Sequence, residues 1–199
     1  MNKYIIVALF GEAGSGKDYI LRHIYHTDWG KNDTHQIIHS TTRTPREHEK
    51  DGVQYHFMTA AEFLTGNNLL KWIECSFFNS WWYSVSLDDL DIDKINIGIF
   101  SIEGIKQLRE KDNLIVIPIR IKTYDKIRLM RQLEREENPN CFEICRRFIS
   151  DRNDFGNIPF EYHVIENNTF EVQPIINDIR DIVNEEVKMN QSLLNDFKI

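Results

Sequence analysis

Eight consecutive residues, Gly11 to Asp18 (GEAGSGKD), carry the densest chemistry of this 199-residue chain. Gly11, Gly14 and Gly16 allow positive φ and a close backbone approach to an anion, and a helix opening behind them would aim unpaired N–H groups at it. Lys17 adds a mobile point charge suited to the β and γ phosphates of a nucleoside triphosphate, with Glu12, Ala13 and Ser15 completing the cradle. A loop of this spacing ordinarily ends in Ser or Thr, whose hydroxyl binds Mg²⁺; here the position holds Asp18. The expectation is that the Asp18 carboxylate, directly or through a water, takes up some of that Mg²⁺ positioning, because Mg²⁺ favours hard oxygen ligands and retains several waters. A chance glycine-rich turn is the alternative, and the flanking residues argue against it.

Those flanks are the elements that must position the loop. Tyr4 to Phe10 (YIIVALF) reads as a buried strand, and Lys17 to His26 as a helix burying Ile20, Leu21 and Ile24. Thr27 to His35 reads as a polar loop and Gln36 to Ser40 as a short strand. INIGIFSI (Ile95 to Ile102) and LIVIPIRI (Leu114 to Ile121) are near-continuous apolar runs of the kind buried in a parallel sheet, with helical spacing from Glu103 to Lys111 between them. Pro118 places the second run at an edge or a strand end. Alternating strand and helix with short links makes this an α/β fold on a parallel sheet. Glu171 to Ile199 reads as an acidic amphipathic helix that packs through Ile175, Ile176, Ile179, Ile182 and Val183 and frays beyond Asn184.

Composition bounds the rest. A chain with 41% hydrophobic residues supports one α/β domain with a proper core. No apolar run approaches the roughly 20 residues that span a bilayer, so a cytoplasmic protein without membrane contact is expected. Cys75, Cys141 and Cys145 lack paired spacing and read as reduced, partly buried thiols. The net charge of −7 divides unevenly: Arg120 to Arg152 holds nine Lys and Arg against six Asp and Glu, whereas Asn153 to Ile199 holds three against nine. Acidity lying mostly in the tail, with the basic residues gathered elsewhere, argues against a general nucleic-acid surface.

The second informative segment is HSTTRTPREHEKDGVQYHF, His39 to Phe57. Two guanidiniums, Arg43 and Arg46, and the Tyr55 phenol could clamp a terminal phosphate, since Arg offers bidentate donors that match phosphate oxygens. On composition alone a solvated basic turn is an equal alternative.

STTRTPR, followed by an acidic residue and then DGVQYHF, resembles the nucleotide-recognition segment of guanylate kinases, and the phosphate loop before it is similar too. The likeness continues through TAAEF (Thr59 to Phe63), Glu74 to Tyr83, SIEGIKQL (Ser101 to Leu108), the Arg-rich stretch Arg128 to Arg152 and YHVIENN (Tyr162 to Asn168), covering nearly the whole chain. The resemblance implies one P-loop NTPase-type domain, with a core of 1–34, 95–124 and 155–199, a nucleoside-monophosphate-binding insert at about 35–90 and a helical lid at about 125–154. It implies that Arg43, Arg46, Tyr55 and Tyr83 hold the acceptor's phosphate and that Glu74 accepts hydrogen bonds from guanine N1 and N2. Read without the family, Glu74 is a surface acid on a strand. The lid arginines implied to be catalytic, beside Lys17, are Arg131, Arg135 and Arg147; a solvated helix face paired with Glu134, Glu136 and Glu137 is their other reading. Asn167 matches a position near the donor's adenine.

The chain departs from the family's pattern at particular positions. His39 stands where a small hydroxyl residue touches the base, Val85 where a second Ser or Thr is usual, and Ser101 where the preceding strand ends in an aspartate. Trp81 and Trp82 replace a lighter pair beside Tyr83 and read as packing around the acceptor pocket. The implied activity is transfer from ATP, with Mg²⁺, to GMP and dGMP. Asp18, His39, Val85 and Ser101 leave open a same-fold kinase for ribose 1,5-bisphosphate or another deoxynucleotide. A non-catalytic guanylate-kinase-like binding module is the remaining alternative.

Overall fold

The computed structural model describes residues 3–47, 49–65, 71–78, 80–135, 137–169 and 171–196. Its centre is β1 (Tyr4–Phe10), in which Ile6 to Phe10 are entirely buried. Strand β1 pairs in parallel with β7 (Ile95–Ile99) on one side and β8 (Leu114–Lys122) on the other. β2 (Thr34–Gln36) and β9 (His163–Glu166) extend the parallel sheet, giving the order β2-β7-β1-β8-β9. Side chains alternate across a strand, so β1 feeds two cores. Val7 and Leu9 meet α1 (Lys17–Ile24) and α7 (Val172–Asp196), whereas Ile6, Ala8 and Phe10 meet α4 (Ile102–Arg109). Burial on both faces explains why these strands read as continuous apolar runs rather than alternating ones.

A second, four-stranded sheet has the order β4-β3-β6-β5, from β3 (Ser40–Thr41), β4 (His56–Phe57), β5 (Trp72–Phe78) and β6 (Trp81–Ser86). Its register decides which residues can form a site. Ser76 and Thr41 both lie opposite Tyr83, and Glu74 lies opposite Val85. These residues share one face. A bulge between Trp72 and Glu74 turns Trp72 to the other face. There Phe63, from α3 (Ala60–Phe63), stacks between Trp72 and Trp82, with ring centroids 5.1 and 6.0 Å away. Trp82 therefore anchors α3 behind the sheet instead of packing around the acceptor pocket, a correction that the register makes unavoidable.

Other expectations change as well. Thr27 to His35 is not a loop: Thr27 caps a short helix, α2 (Asp28–Asp33), accepting from the Gly30 N–H, and β2 follows directly. The strand expected at Gln36 to Ser40 is thus split between β2 and β3. Pro118 lies inside β8, opposite Ala8 of β1, rather than at an edge. The ladder to β9 begins only at Ile119, so on that side the proline stands at a strand end. Helix α7 does not fray at Asn184 but continues to Asp196: Ile175, Ile176, Ile179 and Val183 seal its first half to the core and Val187 carries the packing past Asn184; 197–199 lie outside the described residues. Cys75 is half-buried, while Cys141 and Cys145 are exposed; all three are free thiols.

Gly30 of α2 has a packing role, since a Cβ there would overlap the Ile24 carbonyl oxygen. Gly30→Ala is expected to destabilise the chain by about 2 kcal/mol, read as a lower urea midpoint with an unchanged slope. An unchanged midpoint would show that α2 yields freely.

Candidate active site

The phosphate loop leaves β1 at its C-terminal end, where ligands collect in open parallel sheets. Gly14 and Gly16 take φ of 79° and 92°, a left-handed backbone that glycine adopts without strain, and Gly16 caps α1. The Lys17 ammonium lies back over the loop, donating to the carbonyls of Gly11 at 2.7 Å and Glu12 at 2.9 Å. Burial lowers its pKa from the ordinary value, against the pull of Asp18, Asp151 and Glu12. Ser15 is fully buried; its carbonyl accepts from Thr123 Oγ1 at 3.1 Å and from Asn167 Nδ2 at 2.8 Å. Asn167, 5% exposed, therefore braces the back of the loop, and a Cβ at Gly16 would overlap its amide. Glu12 turns away from the concavity into an ion pair with Arg120 of β8.

Asp18 is exposed in the first turn of α1, beside Lys17. Among the described residues no group of three or more His, Cys, Asp or Glu assembles. One free carboxylate next to a phosphate cradle suits Mg²⁺, which is usually held by one or two carboxylates together with waters and substrate phosphates.

The small sheet brings a second set of groups together. The Arg43 guanidinium sits 5.1 Å from the Tyr55 ring centroid, and the Tyr55 and Tyr83 rings are 5.9 Å apart. Glu49 holds Arg43 at 2.9 Å and accepts from the Arg46 backbone N–H, fixing the turn, while Arg46 itself is exposed. Burial first, then Tyr83 and Asp18, raise the Tyr55 phenol above its ordinary pKa. An influence of Asp18 on Tyr55 puts this cluster within electrostatic reach of the phosphate loop's end.

On the same sheet face Glu74 is 3% exposed, and its Oε2 has no hydrogen-bond partner. Burial pushes its carboxyl up to about 7 despite a hydrogen bond from Ser76. Gly104 of α4 makes room for it, since a Cβ there would lie 2.6 Å from Glu74 Oε1. Gln107, one helical turn on, ties α4 to the free edge of β5 by exchanging two 2.9 Å bonds with the Cys75 backbone. Continuing the β3–β6 register by one residue puts His39 opposite Val85, with β6 between it and Glu74. Its ring lies 4.8 Å from Phe100, its Nε2 is buried without a partner, and burial lowers it to about 4. The imidazole is thus a neutral, buried hydrogen-bonding group on the same sheet face as Glu74. Ser101, two residues past β7, is the N-cap of α4, accepting from the Gly104 N–H at 3.0 Å.

Of the arginines expected in the lid, Arg131, on α5 (Asp125–Leu133), lies over the loop at 3.3–3.5 Å from the carbonyls of Ser15, Asn167 and Thr169, with no carboxylate partner among the described residues. Arg135 is exposed past the end of α5. Arg147, on α6 (Cys141–Asp154), is held at 2.7 Å by Glu143 rather than by Glu134 or Glu137; Glu136 lies outside the described residues. Arg146 shares that carboxylate, and together they hold it down to about 2. Sequence reasoning passed over Asp151 and gave Arg128 no separate role, because both are oriented by a fold that local spacing does not reveal. Glu49, Ser76 and Gln107 were missed for the same reason.

With this geometry in hand, comparison with known proteins is informative. A family model described as guanylate kinase matches residues 1–186. The guanylate kinase of Campylobacter jejuni strain RM1221 is 28% identical over 146 residues, 71% of this chain and 70% of the relative. That of Wigglesworthia glossinidia brevipalpis is 27% identical over 199 residues, 98% and 93% of the two chains. The crystal structure of guanylate kinase from Anaplasma phagocytophilum superposes with a TM-score of 0.63 at 16% identity, covering 94% of this chain and 87% of that one. The central sheet and its flanking helices are those of a P-loop NTPase fold.

The buried carboxyl leaves a measurable signature. Because the folded Glu74 is raised from 4.5 to about 7, it stabilises the fold fully below its unfolded pKa and loses that contribution as pH rises through 7. Stability relative to Glu74→Gln should fall between pH 5 and pH 8 by on the order of 3 kcal/mol, measured by urea unfolding. A difference independent of pH would place the carboxylate in water.

Proposed function

This chain belongs to the guanylate kinase family, and we propose that it transfers the γ-phosphoryl group of ATP to GMP and dGMP. The observation that carries the acceptor assignment is Glu74: buried, with one carboxylate oxygen unpartnered. A buried acceptor asks for a donor, and guanine offers two adjacent N–H groups, at N1 and N2, that adenine lacks. Pairing of this kind discriminates by about 10⁴ or more, because the wrong base strands a buried charge. Val85 and Phe100 supply apolar walls, and the neutral His39 adds a buried hydrogen-bonding group against Phe100.

The remaining parts fit phosphoryl transfer, which asks for positioning and charge stabilisation rather than proton chemistry. The acceptor phosphate already carries close to two charges near pH 7, its second pKa being about 6, so no general base is needed. Arg43, Arg46, Tyr55 and Tyr83 hold that phosphate facing the loop. Lys17, released from the Gly11 and Glu12 carbonyls, follows the β and γ oxygens of the donor. Arg131 stands beside Ser15 and Gly16 with its charge uncommitted and offsets charge on the transferring group. Arg135 joins it from the lid, and Arg147 does so once freed from Glu143. Asp18 is the residue that would hold a Mg²⁺ bound to ATP, and the ion would supply charge neutralisation at the donor phosphates.

A coupled ADP-release assay with GMP, dGMP, AMP and ribose 1,5-bisphosphate tests the reading, and GMP and dGMP should be the preferred acceptors. Lys17→Ala should cost at least about 10³ in turnover while leaving the melting temperature near that of the parent chain. Retained turnover in that variant, or a preference for ribose 1,5-bisphosphate, would contradict the proposal.

A further inference from the structure

A loop that aims its N–H groups at a ligand must be kept in that shape by something behind it. Here the outer wall of the loop is built by the lid helices. The Ala13 N–H donates to Asp151 Oδ2 of α6 at 2.8 Å. The Ala13 carbonyl accepts from Arg128 Nε of α5 at 3.0 Å and from Gln132 Nε2 at 3.4 Å. One residue is thus held at both of its backbone polar groups by two different helices.

The holding groups are themselves tied together. Arg128 forks to Asp151 and, at 3.0 Å, to Asp125, and its guanidinium carbon lies 4.6 Å from the Phe148 ring centroid. The Arg128 side chain is 5% exposed and that of Asp151 15%, so these charge-assisted bonds are sheltered from water. The backbone of α5 presses on the next residue as well, because a Cβ at Gly14 would stand 2.7 Å from the Arg128 carbonyl oxygen. Asp151 also attracts the Lys17 ammonium.

We infer that Arg128 and Asp151 are positioning residues for the donor site, gripping the Ala13 backbone at its N–H and carbonyl so that the phosphate loop is set in its binding shape before the nucleotide arrives. The inference rests on the reading of Gly11 to Asp18 as the ATP phosphate site. A glycine-rich loop has unusually many conformations to lose, and ordering it in advance spares that cost on binding. The pair also makes the loop's shape depend on where the lid helices sit. Neither side chain need touch the donor for this to hold.

Direct titration of ATP by calorimetry without acceptor, alongside steady-state kinetics, tests it. Asp151→Ala and Arg128→Met should each weaken ATP by about tenfold and raise the KM for ATP in step, leaving the KM for GMP within about twofold. Asp151→Asn keeps an acceptor for the Ala13 N–H without the ion pair, and should fall between at about threefold. The double variant should be no worse than the weaker single variant by more than about twofold, because the two residues are ion-paired and act on one residue of the loop. Melting temperatures identify variants folded at the assay temperature; if the alanine or methionine variant fails to fold, Asp151→Asn decides. ATP affinity within twofold of the parent chain in folded Asp151→Ala, unchanged affinity in Asp151→Asn, or equal shifts in both KM values would overturn the inference. A parent chain that binds ATP but leaves GMP unphosphorylated would remove the acceptor assignment alone, and the variants' ATP affinities would still decide this point.

Discussion

Backbone N–H groups hold a triphosphate only when the peptide chain carrying them is kept open against its own tendency to close, and this chain meets that demand from three sides. Below, β1 is buried on both faces and ends at Gly11, so the loop's origin cannot shift without disturbing two cores. Behind, Thr123 and Asn167 hold the Ser15 carbonyl. Outside, Arg128 and Asp151 hold the Ala13 backbone. Only the concave side is left for a ligand, and there Lys17 rests on loop carbonyls that compete poorly with phosphate for its charge.

The acceptor side obeys a different constraint, that of register. In a pleated sheet a shift of one residue exchanges the two faces, so the bulge between Trp72 and Glu74 does two things at once. It sends Trp72 to the aromatic cluster that carries α3, and it leaves Glu74 on the face with Tyr83 and Val85. Gly104 and Gln107 then bind that sheet to α4, which begins where a strand of the main sheet ends. The buried Glu74 carboxyl is in this way referred back to the same parallel sheet that carries the phosphate loop. A buried acid without its full set of donors is costly; its retention in such a pocket is understandable if a ligand supplies what is missing.

Much of this was legible in the sequence where the physics is local. The apolar run Tyr4 to Phe10, the glycines after it and the helical spacing of Ile20, Leu21 and Ile24 specify strand, loop and helix with no help from distant residues. Arg43 and Tyr55 came together as their spacing across the Lys50 to Gly52 turn suggested. Illegible were the features decided by partners far along the chain. Helix α2 contains Gly30 and two Asp residues and has poor intrinsic propensity; its Thr27 cap and its fit against Ile24 make it form. Pro118 is tolerated inside β8 because β9 begins one residue later. Which of the lid arginines is committed depends on carboxylates such as Glu143 and Asp151, and spacing gives no sign of which acid each will find.

The central claim is that one cleft holds a donor's phosphates and an acceptor's phosphate end to end, and a single molecule can span it. The measurement is the affinity, by titration calorimetry, of adenosine and guanosine joined through five phosphates, set against ATP and GMP alone. If the two anion sites share the cleft, joining the ligands should tighten binding beyond ATP by at least about 100-fold, since the second contact becomes intramolecular. An affinity no better than that of ATP would mean that the Arg43, Tyr55 and Tyr83 cluster does not face the loop above Lys17, and the account would fail.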